Sequence, residues 1–382
     1  MLNGKLGRLL RKGALSLSFA AAALIGAGVA ITVSRHNAPQ ASAVATTAAR
    51  LPATADPHAS PATRAVFNYL SGLQSQPSHR LISGQWTGYG KVDTVELQRI
   101  EKMTGRRVGL VGADYLDFSG PGMGISTGSV NASMIDYWNQ GALVDIDVHM
   151  PNPWAGHGLG DRKVPNFAAV ITPGTPAYQA YMANLDKIAE GLQQLQDAGV
   201  TVLFRPMMEM DGDWFWWGRQ PEFPKLWIQT FDYLTNTKGL HNLLWVYAAG
   251  TNKPLSYYPG SQYVDIVGYD AYSYGTRGGK ARGYTALLKT GKPFALAELG
   301  LQSSAYRTKT EPPYDLHKAV TNVRTHMPEA VYFMAWSNAR GEGNNYWGID
   351  AQRNAAAALN DDWVQNNGVP WKPSAAAGPS KK

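Results

Sequence analysis

The sequence predicts an α/β protein folded as a (β/α)8 TIM barrel in one domain. Three observations carry that expectation. Eight short runs rich in β-formers recur along the chain and are apolar almost end to end, as strands covered on both faces must be. Between most of them lie stretches with apolar residues three and four apart, the period of a helix that packs one face. Of 382 residues, 44% are hydrophobic, only 16% are charged and none is Cys, so a large core can form without disulfide or metal support. A doubly wound sheet would alternate in the same way. No Gly-x-Gly-x-x-Gly follows the first strand, however, and the glycines of 120–128 stand behind the second strand without an evident helix start, so they read as a rim loop. Gly275–Lys280 is followed by Ala281, where a phosphate loop would need Ser or Thr.

In chain order, Lys5, Arg8, Arg11 and Lys12 precede an uncharged run from Gly13 to Val33, the pattern of an exported chain. Residues 1–43 are therefore read as a signal peptide or a membrane anchor. Ala41-Ser42-Ala43 offers a small-residue cleavage site, while residues 13–33 are long enough to span a bilayer and hold the protein to it, and both outcomes stand open. Either places the body outside the cytoplasmic membrane: secreted, periplasmic or anchored on the outer side. Residues 44–60, rich in Ala, Thr and Pro, read as a linker, 61–371 as the barrel and 372–382 as a disordered tail. The formal charge of +7 comes from the ends, with five basic residues and no acid in 1–43 and three basic residues and no acid in 372–382. The near-neutral body has no footprint for nucleic acid.

The strands are expected at Leu81–Gln85, Val108–Tyr115, Ala142–His149, Val200–Pro206, Leu243–Ala249, Val264–Asp270, Pro293–Leu299 and Ala330–Ser337. Helices are expected at Val92–Thr104, Thr175–Gly199, Glu222–Lys238, Tyr284–Thr290, Asp315–His326 and Arg353–Gln365. The pattern is clearest in Thr175–Gly199, where Tyr178, Tyr181, Leu185, Ile188, Leu192 and Leu195 recur at helical spacing and Gly199 closes the run.

Chemistry in such a barrel sits at the C-terminal strand ends. Arg205 and Glu209 fall at the end of the fourth strand, followed by Trp214, Trp216 and Trp217, and Glu298 ends the seventh. Two carboxyl groups facing one pocket are what hydrolysis of a glycosidic bond requires, one holding a proton and one ionised. The aromatic cluster can desolvate Glu209, and Arg205 with a Tyr of the sixth strand can hold Glu298 anionic. Taken singly, Glu209 reads as well as a salt-bridge partner of Arg205, and Glu298 as a surface carboxylate.

The segment from Arg205-Pro206 through Glu209-Met210 to Trp214-Phe215-Trp216-Trp217-Gly218 resembles the acid/base motif of glycoside hydrolase family 26, whose best-known members are endo-β-1,4-mannanases. Landmarks in matching order run from Ile82-Ser83-Gly84-Gln85 through Asp145–His149, Leu244–Tyr247 and Tyr263–Tyr272 to Ala297–Gly300 and Trp336. The resemblance implies that Glu209 is the acid/base and Glu298 the nucleophile of a retaining, endo-acting double displacement on β-1,4-mannan-type polysaccharide. It implies that Tyr272 stands beside the nucleophile, that Trp214 and Trp336 line sugar subsites and that His149 lies near the cleft, although His149 taken singly reads equally well as a satisfied core histidine. Arg205 and Met208 complete the expected substrate-binding set. Met208 stands where the family usually has His, and Asp211 where Asn is commoner.

Asp265 and Asp270 read as strand-end hydrogen-bond anchors, His157 as a solvated loop residue, and Trp86, Tyr115 and Trp347 as cleft lining or rim packing. No cofactor and no metal is expected, and a monomer acting on a polysaccharide is. Two other functions stay in view: hydrolysis of another β-glycan or exopolysaccharide such as mixed-linkage glucan, and a non-catalytic glycan-binding or polysaccharide-assembly barrel.

Overall fold

The computed structural model describes residues 53–74, 81–118, 124–155, 161–272, 279–300, 313–338 and 347–371. Eight strands form the barrel wall: β1 (Leu81–Tyr89), β2 (Leu110–Asp114), β3 (Leu143–Val148), β4 (Val202–Pro206), β5 (Leu243–Ala249), β6 (Ile266–Tyr272), β7 (Phe294–Gly300) and β8 (Ala330–Ala335). Each pairs in parallel with the next, and β8 closes on β1 through Ile82 opposite Tyr332 and Gln85 opposite Ala335. Almost every strand residue is buried, which is why the runs read as continuously apolar.

Closure constrains β1. A Cβ on Gly84 would stand 2.5 Å from the Phe333 carbonyl oxygen, so only glycine lets the two strands approach. Gln85 then stitches the seam: its Nε2 donates to the Trp86, Ala335 and Trp336 carbonyls, and its Oε1 accepts from the Ile349 amide. This fixes Trp336 at the barrel mouth.

The helices α1 (Pro61–Leu73), α2 (Thr94–Thr104), α3 (Gly128–Asn139), α4 (Pro176–Asp197), α5 (Phe223–Phe231), α6 (Tyr284–Leu288), α7 (Leu316–His326) and α8 (Ala355–Leu359) accompany the strands. The long α4 is capped by Thr175, whose side chain accepts from the Tyr178 amide, starts with Pro176 and buries Tyr181, Leu185, Ile188, Leu192 and Leu195. Asp93 and Asp315 cap α2 and α7 in the same way. Three sequence expectations change. A helix does begin behind the Gly120–Gly128 loop: α3 starts at Gly128 with no side-chain cap and turns the polar Asn131 inward, so neither a start signal nor a clean apolar stripe announces it. The helix expected at Arg353–Gln365 shrinks to α8, and its end becomes a short strand, Val364–Gln365, beside the start of β1. The helix expected at Glu222–Lys238 divides into α5 and a π-helical turn at Asp232–Thr237.

The linker reading also changes from residue 53 on. Ala59 and Asp56 are fully buried, the Ser60 amide donates to the His241 carbonyl, and the Ala55 amide donates to Asp265 Oδ1 at 2.6 Å. Composition alone could not show this, because the segment's hydrogen-bond partners, His241 and Asp265, lie about two hundred positions away. Residues 1–52 and 372–382, which hold the leader, the rest of the linker and the tail, lie outside the described residues, as does His157.

Asp265 is the anchor it was read to be. It is fully buried, and its second oxygen accepts from the Trp245 amide at 2.8 Å, so one carboxylate ties the N-terminal segment to the base of β5 and β6. Asp265→Ala leaves two buried amides without an acceptor and is expected to cost about 2–3 kcal/mol. Urea titration checks this; Asp265→Asn, which keeps one acceptor, should lose less.

Candidate active site

The chain leaves β4 in an unusual conformation. Met207 and Glu209 both have positive φ, 50° and 55°, a region costly for residues with a side chain. Their amides are tied to neighbouring strands, Met207 N to the Val148 carbonyl and Glu209 N to the Ala248 carbonyl. Met207, Met208 and Met210 all bury their side chains, and Trp216 and Trp217 donate their indole N–H groups to the Met150 and Met208 carbonyls at 2.8 Å. Of these four consecutive residues only Glu209 keeps an exposed side.

Trp214 Nε1 donates to Glu209 Oε2 at 2.5 Å. Burial, and then the negative charge of Glu298, push the Glu209 carboxyl up to about 8, against the pull of the Trp214 bond and of Arg205. Glu209 therefore keeps its proton at neutral pH.

Glu298 ends up differently. Arg205 Nη2 donates to its Oε1 at 2.7 Å, and the Tyr272 hydroxyl donates to its Oε2 at 2.5 Å. The same guanidinium donates from Nε and Nη2 to both oxygens of Asp147, at 2.7 and 2.6 Å, and from Nη1 to Asp270 at 3.1 Å. Arg205 is 1% exposed with every nitrogen engaged. Burial and the Glu298 charge raise the Asp270 carboxyl well above its usual range against Arg205, and burial raises the Tyr272 phenol likewise, keeping it a donor.

Aromatic rings wall this pair. Trp336 lies flat on Trp86, with ring centroids 3.7 Å apart and planes at 8°, and meets Tyr89 and His149 edge-on. His149 Nδ1 contacts Asp114 Oδ2 at 2.5 Å, and its ring also packs edge-on against Phe215. Trp214 is the exposed aromatic beside Glu209, at 38%, and Trp347 packs edge-on against Tyr272.

The structure thus brings Glu209, Glu298, Arg205, Tyr272, His149, Trp214 and Trp336 to one mouth. Two expectations shift. Met208 is 1% exposed and packs in the core, so it offers a substrate no side-chain surface. Arg205 holds Glu298 rather than presenting free donors to a sugar. Asp270, read as an anchor, is a partner of that guanidinium, and Tyr115 is fully buried, donating to Asn131. The sequence motifs assign Asp147 and Asp114 no role. Asp145 and Asp147, two apart in an apolar strand, were the available signal, because alternate residues of a barrel strand share the interior face.

A (β/α)8 barrel that holds one carboxyl protonated on β4 and another gripped by donors on β7 is built like a glycoside hydrolase. The chain belongs to glycosyl hydrolase family 26, which it matches over residues 55–369. It is 32% identical over 337 residues to a mannan endo-1,4-beta-mannosidase of Bacillus subtilis (strain 168), covering 83% of this chain and 88% of that one. It is 33% identical to the mannan endo-1,4-beta-mannosidase A and B of Caldalkalibacillus mannanilyticus, covering 83% of this chain and 63% of that one. A solved Bacillus subtilis mannanase superposes with a TM-score of 0.73 at 31% identity, covering 83% of this chain and 96% of that chain.

Two predictions follow from the charges. Glu209 binds its proton more tightly folded, at about 8, than in its ordinary range near 4.5. Stability from this group is therefore full below about pH 4.5 and is lost as pH rises through about 8. Glu209→Gln escapes that loss, so denaturant titration should find the variant more stable than wild type by several kcal/mol near pH 9, about 5 at most, and about equal near pH 4. Arg205→Met leaves three carboxylates buried without their cation and is expected to cost about 3–5 kcal/mol, read as a fall in thermal midpoint.

Proposed function

We propose that this protein is an endo-acting, retaining β-glycoside hydrolase that cleaves β-1,4-mannan-type polysaccharide by double displacement. The observation that carries the reading is the contrast between a Glu209 carboxyl that keeps its proton to about pH 8 and a Glu298 carboxylate gripped by Arg205 and Tyr272. A Glu298 oxygen attacks the anomeric carbon while Glu209 gives its proton to the departing glycosidic oxygen. Glu209, now anionic, takes a proton from water, whose oxygen attacks the same carbon and frees Glu298. Trp336 and Trp214 supply faces on which pyranose rings stack, and His149, oriented by Asp114, supplies a polar edge. Mannan is supported as substrate by the named activities of the relatives.

The protein is proposed to be exported, through the basic and apolar stretch at its N-terminus, and either released or held to the membrane by residues 13–33. It is proposed to act as a monomer, because one chain supplies both carboxyl groups and the aromatic walls. Met208 favours a second reading, hydrolysis of another β-glycan: beside the acid the chain has a buried thioether, which cannot donate a hydrogen bond to a sugar 2-hydroxyl.

Reducing-end release by the purified protein on β-mannan, glucomannan, mixed-linkage β-glucan and β-xylan decides among these readings. Mannan cleavage is expected, lost on Glu298→Ala and reduced about 10²–10⁴-fold on Glu209→Ala. Cleavage of mixed-linkage glucan alone would transfer the activity to the second reading. Binding without cleavage of any glycan would make the barrel non-catalytic.

A further inference from the structure

We propose that Asp211 is a positioning residue for the acid/base, tying the loop that carries Glu209 to the end of β5 so that the backbone of Gly250 backs the Glu209 carboxyl. The proposal rests on the acid/base reading of Glu209.

Asp211 is 3% exposed, and both its oxygens are taken. Oδ1 accepts from the Gly250 amide at 2.8 Å; Oδ2 accepts from the Thr251 amide at 2.9 Å and the Thr251 hydroxyl at 2.6 Å. Two residues earlier the Glu209 amide donates to the Ala248 carbonyl at 2.8 Å. The β4 loop is thus pinned to the end of β5 on both sides of the strained residue 209, once by main chain and once by side chain. What those pins control is a contact: a Cβ on Gly250 would stand 2.7 Å from Glu209 Oε1. The carboxyl therefore has the bare Gly250 backbone on one side and the Trp214 indole N–H on Oε2.

The residue type follows from the donors. Each Asp211 oxygen faces a backbone N–H, and a carboxylate satisfies both. An amide would turn its NH₂ toward one of them, setting donor against donor. Charge adds to the geometry. Glu209 is faced by Arg205 and Asp211 from its own strand end, by Tyr269, Asp270 and Tyr272 from β6 and by Glu298 from β7. Asp211 is faced by Glu209, by Tyr247 from β5 and by Tyr269 from β6, and Arg219 Nε reaches only its main-chain carbonyl. Its negative charge is compensated by hydrogen bonds rather than by a cation, and it helps burial and Glu298 to keep the proton on Glu209.

A pair of substrates separates positioning of the acid from general damage. Release of a β-1,4-mannooligosaccharide leaving group needs a proton from Glu209, whereas release of 2,4-dinitrophenolate from the aryl β-mannobioside does not, and kcat/KM reports only the steps up to that release. Wild type, Asp211→Asn and Gly250→Ala are compared on both substrates between about pH 5 and 9, with thermal midpoints. Both variants should lose about 10–100-fold in kcat/KM on the oligosaccharide with KM little changed, and less than about threefold on the aryl substrate. The basic limb of the Asp211→Asn profile should move to lower pH. Equal losses on the two substrates, or an undiminished oligosaccharide rate, would overturn the proposal while leaving the glycosidase reading intact. Should Asp211→Asn fail to fold, Thr251→Val decides, because it removes the hydroxyl bond to Asp211 Oδ2 and should bring the same selective loss on the oligosaccharide. Wild type inactive on both mannosides but active on another β-glycan moves the same comparison to that glycan and its 2,4-dinitrophenyl glycoside, while wild type inactive on every glycan would overturn the reading of the site and this proposal with it.

Discussion

One guanidinium, wholly buried, faces three carboxylates at the mouth of the barrel, and the arrangement of the site hangs on it. Arg205 keeps its charge at any pH a protein survives, so Asp147, Asp270 and Glu298 can share it in a buried volume. Removing buried ions from water costs several kcal/mol each, and only short, well-aligned bonds offset it. The bidentate grip on Asp147 supplies that alignment, fixing the plane of the fork and hence the direction in which Nη2 meets Glu298. Charge still runs short, with one cation against three neighbours, and the carboxyls of Asp270 and, deeper in the barrel, Asp145 are driven well upward, chiefly by burial.

Against this the β4 loop sets the opposite environment. Among the described residues Glu209 has no cation in contact; it has an indole N–H, the bare backbone of Gly250 and buried apolar neighbours. The two glutamates therefore lie under one field and respond differently to it. The negative charge of Glu298 raises Glu209, and the donors on Glu298 fix where that carboxylate sits. Two residues at positive φ within three positions store strain there, and it is held by main-chain bonds to β3 and β5 and by three methionines sunk in the core. Strained backbone of this kind persists only where its surroundings over-determine it.

The two faces of the site also differ in how they are built. Trp336 is fixed by barrel closure through Gln85 and by stacking on Trp86, so its ring is as rigid as the seam. Trp214 projects from a loop and keeps more than a third of its surface open. The Trp336 ring is thus part of the wall, while the Trp214 ring beside Glu209 belongs to the loop.

The sequence by itself determined the number, order and parallel pairing of the strands, and the placing of Glu209 and Glu298 at the ends of β4 and β7. Those properties follow from local apolar runs and helical spacing, which a chain displays residue by residue. Capped helices such as α4 were legible for the same reason; α3, with no capping side chain and a buried Asn131, was not. Glu298 was legible as a partner of Arg205, but tertiary structure alone decided the other two, Asp147 and Asp270, which lie 58 and 65 residues away. It alone turned Met208 into the core beside an outward Glu209 and folded residues 53–60 onto the barrel's base. Those outcomes depend on which distant groups share a small buried volume, where an unpaired charge or amide costs too much to leave, and no local pattern encodes them.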